Sequence, residues 1–143
     1  MIRLSGKGSI ACTPAEVAAF LADVSNEPKW QRDIVHVKLV EGTPGKAGAK
    51  WERVQVVGGR NIKTITELAE VAPGRRVAFK AAGKVIEYTL TFTVAPSGAG
   101  TDLEMKLEGE MLGFASMFEG MAADELGAAI PEDLGRLAKA LEA

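Results

Sequence analysis

Residues 84–95 run Lys-Val-Ile-Glu-Tyr-Thr-Leu-Thr-Phe-Thr-Val-Ala. Ile86, Tyr88, Leu90, Phe92 and Val94 share one parity; Glu87, Thr89, Thr91 and Thr93 share the other. A period of two sustained over this length is a strand with one buried face and one wet face, the pattern of an antiparallel sheet. Downstream, Pro96 to Gly100 is a loop, and Leu103, Met105 and Leu107 then alternate with Asp102, Glu104, Lys106 and Glu108 in a last strand. Toward the N-terminus, Gly83, Pro73-Gly74, Gly58-Gly59 and Thr43-Pro44-Gly45 punctuate further extended segments. Gly-Gly and Pro-Gly pairs are hairpin and turn chemistry. These segments are 75–81, 61–71, 51–57 and a run from Ile34 in which Val35, Val37 and Leu39 share a face opposite His36 and Lys38. Ile2, Leu4 and Ile10 give one more strand, where Gly6 and Gly8 mark a bulge or a close backbone approach.

Two segments break this rhythm. Thr13-Pro14-Ala15-Glu16 is a helix start, with Thr13 as cap, Pro14 in the first turn and Glu16 closing a capping box. Val17, Phe20, Leu21 and Val24 follow at helical spacing, Asp23 to Pro28 carries turn chemistry, and 29–33 suits a second short helical turn. After Gly113 the period is helical to the end. Phe114, Met117, Phe118 and Met121 form one stripe; Leu126, Ile130, Leu134, Leu137 and Leu141 form another about 150° around the axis. A straight helix cannot bury both against one surface, so a kink is expected near Pro131, which lacks an amide hydrogen. The first stripe then packs on another part of the core, or it serves a cavity mouth or a homodimer contact. The predicted fold is α+β: a curved antiparallel sheet of about seven strands around a long C-terminal helix, with one or two short helices after the first strand.

Composition narrows the function classes. A chain of 143 residues with 47% hydrophobic and 25% charged residues is ordinary for one globular domain with a real core. The formal net charge of −2 supplies no field for nucleic acid or an anionic membrane. No stretch reaches the roughly 20 apolar residues of a membrane span. The N-terminal residues lack a signal-peptide run, so a cytoplasmic protein without an integral membrane segment is expected.

Four local sequences, in their order and spacing, resemble the START-like helix-grip (SRPBCC) superfamily, and within it the polyketide cyclase/dehydrase-like group. They are Ile10 to Asp23, Asn26-Glu27-Pro28-Lys29-Trp30, Thr66 to Val77, and Leu134 to Glu142. The resemblance implies a single domain over 1–143, with a cavity for a hydrophobic ligand between sheet and terminal helix. In such proteins that ligand is lipid-, polyketide-, hormone- or quinone-like, and some members catalyse cyclisation or dehydration. No catalytic motif carries over, so the fold argues for a cavity rather than a reaction.

Residue by residue, no catalytic constellation stands out. His36 is the sole histidine and faces away from Val35 and Val37; no HExxH, P-loop or GxGxxG spacing occurs. No metal and no cofactor are expected. Glu108, Glu110, Asp124 and Glu125 fall on polar faces. Cys12 is either a small buried residue or, with a helix beginning just after it, an activated thiol. Trp30 belongs to the core or to a cavity rim. Tyr88 points inward between Ile86 and Leu90, and its hydroxyl then needs a partner. In segment 51–57 both parities carry apolar residues. Trp51, Arg53 and Gln55 therefore face either the interior or solvent, and an inward arginine demands a carboxylate or a ligand. The expected lining is Trp51, Arg53, Tyr88, Leu90, Phe92 and Met105 from the sheet, with Phe114, Met117, Phe118 and Met121 from the helix. Three functions remain open: a binder of a small hydrophobic molecule, a cyclase or dehydratase, and a protein-interaction module with a filled interior.

Overall fold

The computed structural model describes residues 1–142. Strand β1 (Ile2–Ile10) leads into helix α1 (Pro14–Leu21) and a 3₁₀ helix (Val24–Lys29). Six strands follow: β2 (Ile34–Glu41), β3 (Lys50–Val57), β4 (Arg60–Ala72), β5 (Arg76–Ala82), β6 (Ile86–Ser97) and β7 (Gly100–Met111). A second 3₁₀ helix (Gly113–Phe118) turns the chain into α2 (Glu119–Glu142). The seven strands form one sheet in the order β1-β7-β6-β5-β4-β3-β2. Every neighbouring pair is antiparallel. With α2 laid against the sheet and the short helices inserted after β1, this is the helix-grip fold.

Local chemistry explains the helix entries. Thr13 Oγ1 accepts from the Glu16 amide at 3.2 Å and donates to the Glu16 carboxylate at 2.9 Å, tying down the first turn of α1. Asp23 caps the first 3₁₀ helix by accepting from the Ser25 amide at 3.0 Å.

The glycines of β1 mark a close approach, not a bulge, because β1 pairs with β7 in unbroken register. A Cβ on Gly6 would stand 2.4 Å from Ile130 Cγ2 and 3.1 Å from Leu134 Cδ1. Gly127 on α2 in turn lets Leu4 Cδ2 come within 3.4 Å of where its own Cβ would be. At Gly6 the backbone of β1 therefore rests directly against side chains of α2.

Two apolar clusters result. The larger holds Val17, Trp51, Leu68 and Phe92, closed by Ile130, Leu134 and Leu137 of α2. The smaller holds Ile2, Val57, Ile62, Ile86 and Met111, closed by Ala122.

Two local expectations are corrected. α2 is one helical segment with Pro131 inside it. The stripe Phe114, Met117, Phe118 and Met121 faces outward, with Phe114 81% and Met117 71% exposed. The reason is that the inward face of this segment carries Leu126 together with Ala115 and Ala122, the two alanines being small enough for a close seat on the sheet. No kink is then needed to bury two stripes, since only one is buried. In β2, a register shift between Ile34 and His36 turns Val35 out to solvent, while Val37 and Leu39 still pack on the core.

Candidate functional site

Where the two clusters meet, sheet and α2 leave a cavity of about 60 Å³. On this measure it has room for a few waters, well short of the roughly 300–1,000 Å³ of a pocket holding a drug-sized ligand. Its walls are mainly apolar: Leu4, Leu90, Met105 and Leu107 from the sheet, then Val57, Ile62 and Ile86 toward the smaller cluster, with Leu126, Ala129 and Ile130 from α2. Trp30, Gln31, Arg53, Gln55, Tyr88 and Asp133 add polar character.

Arg53 organises that polar part. β3 lies between β2 and β4 in the sheet, and its inward parity is that of Trp51, Arg53 and Val57. Arg53 is 4% exposed and Glu27 is 6% exposed. Arg53 Nε donates to Glu27 Oε1 at 2.5 Å. One terminal nitrogen donates to Gln55 Oε1 at 3.0 Å and to the Tyr88 hydroxyl at 2.9 Å; the other donates to Gln31 Oε1 at 3.0 Å. Gln31 Nε2 then donates to Glu27 Oε2 at 3.2 Å, closing a ring of three side chains. The 3₁₀ helix makes this ring. The Glu27 carbonyl accepts from both the Trp30 and Gln31 amides, which brings Glu27 and Gln31 to the same side.

Electrostatics follow from burial. Burial opposes the charge on Arg53, but the Glu27 carboxylate and Tyr88 beside it prevail and hold its pKa above the ordinary value. Burial raises the Tyr88 pKa against the pull of Arg53, so the phenol is neutral. Because Tyr88 accepts from Arg53, its own proton is free to donate, and no acceptor for it occurs among the described residues. Asp133, bonded to Arg136, has its pKa raised chiefly by burial.

Of the residues expected to line a site, Arg53, Tyr88, Leu90 and Met105 are at the cavity. Trp51 and Phe92 lie in the larger cluster behind it, and the Trp51 indole N–H has no partner among the described residues. Phe114, Met117, Phe118 and Met121 are on the outer surface. Glu27, Gln31, Gln55, Thr64 and Asp133 were absent from the expected lining. Gln55 shares the strand parity of Arg53; for the acidic residues the one sequence signal is indirect, since an inward Arg53 requires a carboxylate. His36 is exposed beside Glu52 at 3.2 Å. Among the described residues no three His, Cys, Asp or Glu side chains group as a metal site needs, and no helix is long and apolar enough to cross a membrane.

Cys12 is not activated. Desolvation, then the Glu16 and Glu142 charges, raise its pKa, and its thiol donates to the Leu141 carbonyl at 3.3 Å. Iodoacetamide is therefore expected to alkylate Cys12 more slowly than free cysteine at pH 8, with the gap narrowing at higher pH. Mass spectrometry of timed aliquots reads this directly.

The comparisons with known proteins agree with this architecture. The chain belongs to the polyketide cyclase/dehydrase and lipid transport family, whose model matches residues 1–142. Among solved structures it is similar to a Thermus thermophilus protein, with 17% identity, a TM-score of 0.83, and 98% of this chain and 97% of that one covered. A START superfamily protein of Mycobacterium smegmatis aligns at 15% identity and TM-score 0.81 over 99% and 98% of the two chains. The Zhui aromatase/cyclase of Streptomyces sp. R1128 aligns at 13% identity and TM-score 0.78 over 98% and 93%. At these identities the likeness is one of fold. No curated protein matches the sequence.

Proposed function

We propose that this protein binds a small hydrophobic molecule between the sheet and α2, with the Arg53–Tyr88 pair orienting its polar end. The observation that carries the reading is a buried, fully charged arginine set into the wall of an otherwise apolar cavity. Such a group is costly to bury and contributes little to stability. It is better explained as part of a site, where a few polar groups fix orientation and apolar walls supply affinity. Leu90 and Met105 would contact the apolar body of the ligand. The cavity is small as it stands, so access requires the segment from Gly113 to Leu126 to move outward. Its inward face is anchored by small side chains and by the Gly58 amide donating to Glu125 at 2.5 Å. The exposed Phe114, Met117, Phe118 and Met121 lie on that same segment.

The test uses the neutral fluorophore N-phenyl-1-naphthylamine. Its emission is expected to rise on mixing with the protein and to fall when 2-octanone is added. Ala129→Phe, which fills the cavity from α2, is expected to abolish the rise while circular dichroism stays unchanged. No rise with the unmodified protein, or an equal rise with the filled variant, refutes the reading.

The free Tyr88 proton favours a second reading, in which the bound molecule is also cyclised or dehydrated. A neutral phenol can polarise a carbonyl by hydrogen bonding. With a synthetic aryl poly-β-ketone as probe, this reading expects faster aromatisation by the unmodified protein than by Tyr88→Phe. Equal rates count against it.

A further inference from the structure

We propose that the site selects an uncharged polar head, a ketone or hydroxyl on an apolar body, over a carboxylate, and that Glu27 sets this preference by cancelling the charge of Arg53. The inference rests on the ligand-binding reading above and concerns only which ligands that site accepts.

A buried arginine invites an anion, because it supplies a fixed positive charge and a fork of donors. Here that charge is already spent. Glu27 Oε1 is 2.5 Å from Arg53 Nε, and both side chains are buried. The charged and phenolic groups lining the polar part of the cavity are Arg53, the neutral phenol of Tyr88, and Asp133, whose carboxylate is bonded to Arg136; Glu27 is bonded to Arg53 just behind that lining. Gln31 and Gln55 are neutral and face Arg53 with their carbonyl oxygens. The cavity therefore sees no net positive charge. An entering carboxylate would have to leave water and take a place beside Asp133, and near an Arg53 already paired with Glu27, with no free cation to compensate it, and a buried, unpaired charge is expensive.

The donors, by contrast, are not exhausted. Arg53 has five N–H groups; four are bonded, and one is left among the described residues. The Tyr88 proton is free as well. Two donors with no net charge suit a carbonyl or hydroxyl oxygen, which accepts without bringing a charge. Arg53 is also held by four partners at once, so it cannot swing away from Glu27 to meet an anion without breaking that arrangement.

The experiment compares two probes of equal chain length, 2-octanone and octanoate, by isothermal titration at pH 8 on the intact chain. The unmodified protein is expected to bind the ketone at least about tenfold more tightly. Glu27→Gln keeps the size and one acceptor oxygen while removing the negative charge, and is expected to shrink the ratio below about threefold or to reverse it. Asp133→Asn, at a less buried position, is expected to narrow it in the same direction and serves if Glu27→Gln does not fold. Octanoate binding as tightly as 2-octanone to the unmodified protein overturns the inference while leaving the binding reading intact. So does a ratio unmoved by every folded variant. Binding of neither probe sinks the binding reading, and the inference with it.

Discussion

Glu27→Leu is expected to lower the unfolding free energy by about 3–5 kcal/mol, the range for breaking a buried ion pair from one side. The substitution removes the carboxylate that sits 2.5 Å from Arg53 and leaves a guanidinium only 4% exposed without its counter-charge. Gln31 loses the acceptor for its Nε2 at the same time. A urea melt followed by circular dichroism should show the midpoint falling by about 2 M. The companion variant decides the cause. Glu27→Leu combined with Arg53→Met removes both charges, and an apolar pair of similar volume is often as stable as the ion pair it replaces. The double variant should therefore recover most of the loss. If it is as unstable as Glu27→Leu alone, the destabilisation comes from packing around position 27 and not from the orphaned charge.

Gly6→Val should be the second severe substitution, at about 1–3 kcal/mol. The new side chain would begin 2.4 Å from Ile130 Cγ2. Ile130 is β-branched, and in a helix such a side chain has essentially one rotamer, so relief requires α2 itself to move off β1. Ile130→Ala removes the obstacle at its own cost of about 2–5 kcal/mol. The two changes should not add. Touching residues couple, so the double variant is expected to be more stable than the sum of the single losses by about 1 kcal/mol or more. Urea melts of all four proteins measure it. Additive losses would mean that helix and strand are not in contact at this point.

Much of the sheet was legible because β6 and β7 obey a strict period of two with a single buried face, and glycine and proline pairs mark the turns between strands. β3 was not legible in the same way. Trp51 and Val57 on one parity compete with Val54 and Val56 on the other, and alternation alone cannot choose between them. Tertiary contact makes the choice: the face carrying Arg53 meets Glu27 and Gln31, supplied by the 3₁₀ helix and the residues just after it, well before β3 in the chain. Nothing in the local sequence of either segment announces the other. Tyr88 was legible as an inward hydroxyl in need of a partner, and Arg53 proves to be that partner.

The start of the terminal helix misled for a different reason. Large apolar side chains at positions 114, 117, 118 and 121 read as the buried stripe, yet the close seat of this segment on the sheet selects alanine for the inward face. Phe and Met are left outside. The chain is also wound as a 3₁₀ helix over Gly113–Phe118, so spacing reckoned at 3.6 residues per turn does not apply there. β2 fails the simple pattern through its irregular register, which no residue type at Ile34, Val35 or His36 foretells.

On the proposed reading a hydrophobic molecule is taken up inside the grip of sheet and helix, beside Arg53, and not on the exposed Phe and Met surface. The chain has five methionines, which makes methyl labelling decisive. Met105 lines the cavity, whereas Met117 and Met121 are each 71% exposed. With ¹³C-methyl methionine and 2-octanone, ligand-to-protein Overhauser contacts are expected at the Met105 methyl. Contacts confined to Met117 and Met121, with Met105 silent, would contradict it.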